Sequence, residues 1–450
     1  MQNDSLKYVY RYTIVAAIGG LLFGYDTAVV SGAIGFIEEK YNLSPAMKGW
    51  AASCALIGCM VGAMFSGGLS DRLGRKKVLM ISAFAFAISS IGIMIPAGIG
   101  SFIFFRFIGG AGIGIASILS PMYISEIAPA NIRGRLISIY QLGIVTGILL
   151  IYFVNFYIAG LYDHSWNVET GWRWMFGSGL IPSFIFIFLL IPTPESPRWL
   201  AAQNRWDAAG IILSKVNGKE NAESELLSIR KSLAEQQGSF ADLLKPGLRT
   251  ALIIGIVLAI FSQITGINVI MYYAPEIFKA SGSGSSSALM QTVWVGSINL
   301  LLTIIAIIYV DKLGRKKLLL IGAAGMALCL AFVGLAFYTD ATAGYWVLAG
   351  ILLYISFFAI SLGPLTFVVV AEIFPNHTRG RAMGVAIFFL WLSVYIVSQT
   401  FPMLLDAIGS AYTFGIYMIT SVLAFFFIWK MVPETKEKTL EEIQEMWKKA

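Results

Sequence analysis

Long apolar runs dominate this chain. Twelve of them fall at about 10–36, 48–69, 77–97, 99–122, 136–160 and 173–193, then at about 250–278, 287–310, 317–338, 344–371, 382–404 and 410–431. A spanning helix needs about 20 apolar residues at a rise of about 1.5 Å each. Hydrocarbon offers no partner to a backbone N–H or C=O, so such runs must pair their own backbone as helices. Composition agrees: of 450 residues, 57% are hydrophobic and 13% charged, against about 25% charged in soluble domains. The expected fold class is an all-α membrane protein with 12 transmembrane helices. An ordinary soluble enzyme and a disordered chain are excluded.

The net charge of +7 would fit nucleic-acid binding, but the basic residues sit in short runs between apolar stretches, as positive-inside topology requires. Arg72, Arg75, Lys76, Lys77, Arg133, Arg135, Lys312, Arg315, Lys316, Lys317, Arg379 and Arg381 lie on one set of alternate loops. The other set carries mainly Lys40 and Lys279, with Lys48 and Arg173 at span ends. This asymmetry predicts that both termini and the central stretch are cytoplasmic. The first run is too long for a signal-peptide core and lacks a small-residue cleavage site. Cys54 and Cys59 are five apart on one helix and Cys329 is in another, so no disulfide framework is expected. His164 and His377 are too few for a histidine metal site. Neither a metal nor a cofactor is expected, and nucleic acid is not an expected partner.

The chain repeats itself. Asp71-Arg-Leu-Gly-Arg-Lys-Lys77 returns as Asp311-Lys-Leu-Gly-Arg-Lys-Lys317. Glu126-Ile-Ala-Pro with Arg133-Gly-Arg135 returns as Glu372-Ile-Phe-Pro with Arg379-Gly-Arg381, and Pro194-Glu195-Ser196 as Pro433-Glu434-Thr435. Three motifs in one order at nearly one offset indicate a duplication. The expected organisation is a six-helix half at 1–197, a cytoplasmic linker at 198–249, a second six-helix half at 250–432 and a cytoplasmic tail at 433–450. Parallel repeats of this kind place a substrate site near the midplane, between the halves. In the linker, Leu226, Leu227, Ile229 and Leu233 repeat at helical spacing, which predicts short amphipathic helices against the inner face; a solvated linker is the alternative.

These motifs, with Pro194-Glu-Ser-Pro-Arg198, carry a resemblance over nearly the whole chain to the sugar porter branch of the major facilitator superfamily. The chain is most similar to bacterial sugar–proton symporters of the xylose and galactose type, and is also similar to the mammalian facilitative glucose transporters. The resemblance implies import of a monosaccharide, pentose or hexose, by a monomer in the cytoplasmic membrane.

The residues themselves support a transport reading. Arginine forks can hold carboxylates bidentately across the two halves, so Asp71, Arg75, Glu126, Arg135, Glu195, Asp311, Arg315, Glu372, Arg381 and Glu434 are candidates for a cytoplasmic gate. Topology setting by positive charge is the competing role for the basic members. Asp26 and Arg106 are ionisable residues well inside spans, at a cost of at least about 2.5–3.5 kcal/mol for a charge at the centre, and each is the other's obvious partner. A carboxylate gains proton affinity on burial and loses it beside a guanidinium. A movement that changes their separation therefore couples protonation to conformation. A permanently ionised structural pair is the alternative. By resemblance, proton-coupled porters carry Asp at the position of Asp26, where many facilitators carry Asn.

A sugar site needs neutral amides and aromatic faces, because hydroxyls both donate and accept. Gln263 and Asn268 come close to one face if the helix loosens near Gly266. Asn299 and Gln141 are further intramembrane amides. Helix–helix hydrogen bonding is the competing use of any one of them. By resemblance, Gln141, Gln263, Asn268 and Asn299 bind hydroxyls, Trp391 lines the site, Tyr272 and Tyr273 are gating aromatics, and Gly363-Pro364 breaks the tenth span as a hinge. The chain departs from the family with Ser262 before Gln263 where Gln-Gln is common, with Phe367 where Trp is common, and with Leu390 and Val394 at positions that often carry amides. The second-half pocket is accordingly less polar.

No Walker A motif is present, and the glycines at 109, 110, 112 and 114 read as close helix packing. No nucleophile–base set points to an enzyme. The short tail argues against a sensor with an output domain. Proton symport leads; proton-independent uniport is the alternative.

Overall fold

The computed structural model describes residues 3–95, 98–129, 132–234, 240–245, 248–342, 345–374 and 376–435. Among them every regular element is a helix. Among the described residues, eleven helices are long and apolar enough to span a membrane: Ser5–Tyr41, Pro45–Leu73, Arg75–Met94, Ile99–Ile127, Arg133–Ala159, His164–Leu190, Leu248–Ala280, Ser285–Tyr309, Arg315–Tyr338, Trp346–Glu372 and Thr378–Met431. The last has 54 residues, more than twice what a bilayer of about 30 Å accommodates. It is two helices joined at Gly409, whose φ of 76° no helix contains. The spans are therefore twelve, numbered 1 to 12 here in chain order, with 378–408 as span 11 and 410–431 as span 12.

Most spans outrun their apolar stretches, because charged ends continue the helix into the interface. Span 6 begins at His164 rather than near 173, through a wide turn at Asn167–Gly171. Span 3 ends at Met94, short of the expected 97. Span 10 breaks at Ile360–Ser361, between helices Trp346–Ala359 and Leu362–Glu372, with Ser361 at φ −133° and ψ −98°. Gly363 and Pro364 fall just inside the second helix. Proline is tolerated in a first turn, where its missing N–H has no helical partner anyway, so the break lies upstream of it.

The linker contains helices Pro197–Ala202, Trp206–Asn217 and Lys219–Ala234. They pack on one another through Leu200, Ala209, Leu213, Ala222, Leu226 and Ile229. Leu227 and Leu233 are exposed, so only half of the expected apolar stripe is used. Trp199 Nε1 donates to the Asp71 carbonyl at 2.9 Å, tying the linker to the last turn of span 2.

The chain forms two compact units. One comprises Met1–Thr27, Ile57–Leu150 and Phe176–Gln236; the other comprises Ala28–Leu56, Ile151–Met175 and Gln237–Ala450.

Candidate functional site

The duplicated loops give the same local structure twice. Gly74, between spans 2 and 3, has φ 96°, and Gly314, between spans 8 and 9, has φ 85°. Both values favour glycine. A Cβ at Gly74 would lie 2.3 Å from Glu195 Oε2, and one at Gly314 would lie 2.8 Å from Glu434 Oε2. Each carboxylate caps a helix start. Arg75 N and Lys76 N donate to Glu195 Oε1 at 2.9 and 3.1 Å. Arg315 N and Lys316 N donate to Glu434 at 3.0 and 3.2 Å. The anion sits where unpaired N–H groups and the positive end of the helix dipole meet.

The arginines take the remaining carboxylates. Arg75 forks onto Glu126, with Nε at 3.0 Å from Oε2 and Nη2 at 3.1 Å from Oε1, and its Nη1 reaches Asp71 Oδ1 at 3.1 Å. In the second repeat Arg315 Nη2 reaches Glu372 Oε1 at 3.1 Å, and Thr435 Oγ1 donates to Glu372 Oε2 at 2.6 Å. These pairs join carboxylate and arginine of the same repeat. Arg135 is exposed and Arg381 half-buried; the side chain of Asp311 lies outside the described residues.

Asp26 and Arg106 meet inside the first unit. Arg106 Nη1 lies 2.7 Å from Asp26 Oδ2 and donates to the Asp26 carbonyl at 3.2 Å. The Arg106 side chain is 1% exposed and that of Asp26 12%. The guanidinium also covers the Phe176 ring at 5.1 Å. Beside it, Tyr25 OH and Ser178 Oγ are hydrogen-bonded at 2.7 Å. The facing parts of neighbouring spans, 49–70, 78–94, 107–125, 136–159 and 174–194, carry no charged residue. Each of the two charges is thus compensated by the other.

The amides of span 7 converge across a break in the second unit. Helices Leu248–Ile264 and Ile267–Ala280 are separated at Gly266, with φ 98°. The break brings Asn268 Nδ2 onto Gln263 Oε1, and Gln263 Nε2 donates to Ser262 Oγ at 2.9 Å. Two carbonyls loosened by the break find side chains: Tyr354 OH donates to Thr265 O at 2.9 Å and Thr420 Oγ1 to Ile264 O at 3.0 Å. Asn299 and Trp391 are buried, as are Tyr272 and Tyr273, whereas Phe367 is 42% exposed. Tyr273 OH donates to Ser398 O at 2.9 Å, and its ring lies 5.0 Å from that of Phe401. Gln141, half-buried on span 5, belongs to the first unit.

A further constellation escaped the sequence reading. Three successive residues at the end of span 1 pair with residues of two other spans, 2 and 6. Glu38 Oε2 lies 2.6 Å from Lys48 Nζ of span 2, Glu39 Oε2 lies 2.7 Å from His164 Nε2, and Lys40 pairs with Glu169. Lys48 also holds Glu276 of span 7 at 2.9 Å, and Lys279 holds the same carboxylate at 3.1 Å. Lys48 and Glu276 are mostly buried, with side chains 12% and 19% exposed. One turn below, Pro275 has no N–H to offer the Met271 carbonyl, and Tyr152 OH from span 5 donates to it at 2.7 Å. The available signal was Glu276, an acid inside an apolar run.

Comparison with known proteins adds the family. Residues 12–447 match the model of the sugar (and other) transporter family. The arabinose-proton symporter of Bacillus subtilis is 46% identical over 447 residues, covering 99% of this chain and 96% of that protein. The D-xylose-proton symporter of Escherichia coli K12 is 44% identical over 473 residues, covering 98% and 96%. A structure of the xylose transporter XylE from E. coli, in a partially occluded inward open conformation, superposes with a TM-score of 0.87 at 42% identity, covering 96% of this chain and 100% of that one. Twelve spans, duplicated capped loops and a family match across nearly the whole length agree: the chain belongs to the sugar (and other) transporter family.

Proposed function

We propose that this chain is a secondary active transporter that imports a monosaccharide with a proton by alternating access. The observation that carries the reading is the Asp26–Arg106 pair, buried among stretches of spans 2 to 6 that offer no other charge. The relatives named as arabinose- and xylose-proton symporters support the same chemistry. Asp26 takes up the proton and leaves Arg106, and the conformational change follows from that loss of attraction. Gln141, Gln263, Asn268 and Asn299 bind hydroxyls, with Trp391 and Phe367 as apolar walls, Tyr272 and Tyr273 as gating aromatics and Gly363-Pro364 beside the hinge.

In this reading the protein works as a monomer in the cytoplasmic membrane, with both termini, the linker 198–249 and the tail 433–450 in the cytoplasm. The halves 1–197 and 250–432 rock about the sugar. The carboxylate–arginine loops then form the inner gate, and Glu38, Lys48, Tyr152 and Glu276 clasp the outer one.

The test is reconstitution in liposomes containing a pH-sensitive dye, with addition of D-xylose, L-arabinose, D-glucose, D-galactose or myo-inositol. One or more pentoses or hexoses acidify the lumen in the wild type, and Asp26→Asn abolishes acidification while retaining sugar exchange. Labelled sugar entering the wild type without a pH change would make it a uniporter and overturn the proton role.

A further inference from the structure

Arg106 occupies one side of the Asp26 carboxylate. Gly109, one helical turn further along span 4, lies on another. A Cβ on Gly109 would sit 3.6 Å from Asp26 Oδ2 and 2.6 Å from Ser89 Oγ. The carboxylate and the serine hydroxyl thus flank the same bare Cα. Ser89, on span 3, is 1% exposed, and its Oγ has no hydrogen-bond partner among the described residues. Two turns earlier on that helix, Ser82 Oγ does find the span 4 backbone, donating to Gly112 O at 3.0 Å. Ser89 has no such bond, and a buried hydroxyl without a partner calls for an explanation.

Proton chemistry supplies one. Ionised Asp26 accepts hydrogen bonds, and Arg106 provides them. Protonated Asp26 carries an O–H that must be accepted, and a guanidinium has donors only. The other groups around the carboxyl do not compete. Tyr25, its neighbour on span 1, is engaged with Ser178 Oγ at 2.7 Å, and apart from Arg106 the facing stretches of spans 2 to 6 hold no charged side chain. Ser89 Oγ is a buried oxygen with free lone pairs, reached across the gap that the absence of a side chain at Gly109 keeps open.

We infer that Ser89 is a positioning residue for the symported proton: its hydroxyl accepts the O–H of protonated Asp26 past Gly109 and stabilises the proton-loaded form. The proton comes from solvent and is held on the Asp26 carboxyl; no other bond is broken. Arg106 stays charged, keeping the Asp26 carbonyl and the Phe176 face. The inference rests on Asp26 being the proton site.

The experiment measures sugar-driven proton uptake and sugar exchange by the full chain in liposomes across a pH series, using D-xylose or L-arabinose, whichever the wild type carries. Ser89→Ala moves the pH midpoint of coupled uptake down by about one unit, a tenfold loss of proton affinity, and exchange at low pH persists. Gly109→Ala moves it the same way. Ser82→Ala, which removes an ordinary interhelix bond, leaves the midpoint in place. Ser89→Cys, similar in size but a weaker acceptor, gives a smaller downward shift and serves if Ser89→Ala does not fold. A wild-type midpoint in a folded, exchanging Ser89→Ala or Ser89→Cys protein overturns the inference. Proton-coupled uptake surviving in Asp26→Asn is a separate result that overturns the underlying assignment instead.

Discussion

Glu195→Gln removes the charge facing the N–H groups of Arg75 and Lys76, and the variant is expected to lose about 1 kcal/mol. Glu434→Gln loses a similar amount. Gly74→Ala costs more, because its Cβ would lie 2.3 Å from Glu195 Oε2 at a φ of 96°; strain of this kind is worth about 1–3 kcal/mol. Thermal unfolding in detergent reads all three as lowered midpoints, with Gly74→Ala lowered most. The sequence displayed these glutamates only as carboxylates repeated beside arginines. Pairing of these arginines with carboxylates was legible from opposite charge, but it was expected across the two halves, and that Arg75 takes Glu126 of its own repeat was not. Pairing was not legible for Glu195, whose partner is the backbone of a helix start 120 residues away, and a backbone N–H leaves no mark in a residue pattern. Ser89 escaped for a related reason: serine is common in spans, and only the position of Gly109 shows what its hydroxyl faces.

At the scale of elements, discontinuity sets the chemistry. Span 7 brings its amides together because it breaks at Gly266, and its far half depends on Tyr152 for the carbonyl that Pro275 leaves unpaired. Tyr152→Phe keeps the ring and removes that hydrogen bond, leaving a buried acceptor at a cost of about 1–3 kcal/mol. Under the proposed cycle the loss falls on the outward-closed states, so the variant populates outward-open forms. Thiol labelling of a cysteine placed at Ser281 rises accordingly, and unchanged labelling speaks against a clasping role. Glu126→Gln, at the other gate, moves accessibility toward inward-open. The Gly266 break was legible because glycine marks it. The break in span 10 was placed late, since Pro364 draws attention to itself while the first helix actually ends at Ala359. Tyr354, Thr420 and Tyr152 could not be paired with their carbonyls in advance, because each pairing joins residues far apart in sequence.

For the whole molecule, Lys48 is the shared member of a cluster that joins spans 1, 2 and 7. Lys48→Met leaves Glu38 without this partner and Glu276 with Lys279 alone, and truncating one partner of a buried ion pair costs about 3–5 kcal/mol. A shift of about 1.4 kcal/mol already changes a two-state ratio tenfold. Under the proposed cycle Lys48→Met therefore favours outward-open forms strongly and slows proton-coupled uptake, as labelling and transport in the same liposomes report; wild-type labelling sinks the clasp. Twelve spans and a duplication were legible throughout, since apolar length and motif offset are one-dimensional properties. Membership of the two compact units was not, because the ends of spans 1, 2, 5 and 6 gather with residues that follow them by hundreds of positions. The twin carboxylate caps carry one more consequence, for synthesis. Span 3 starts at Arg75 but receives its cap from residue 195, and span 9 starts at Arg315 but waits for residue 434. At about 5–20 residues per second, the ribosome needs roughly ten seconds to deliver each missing carboxylate. Each six-helix repeat is thus closed by nearly its last residue, so a nascent chain halted before Glu195 presents an unfinished bundle to the quality-control proteases of the membrane.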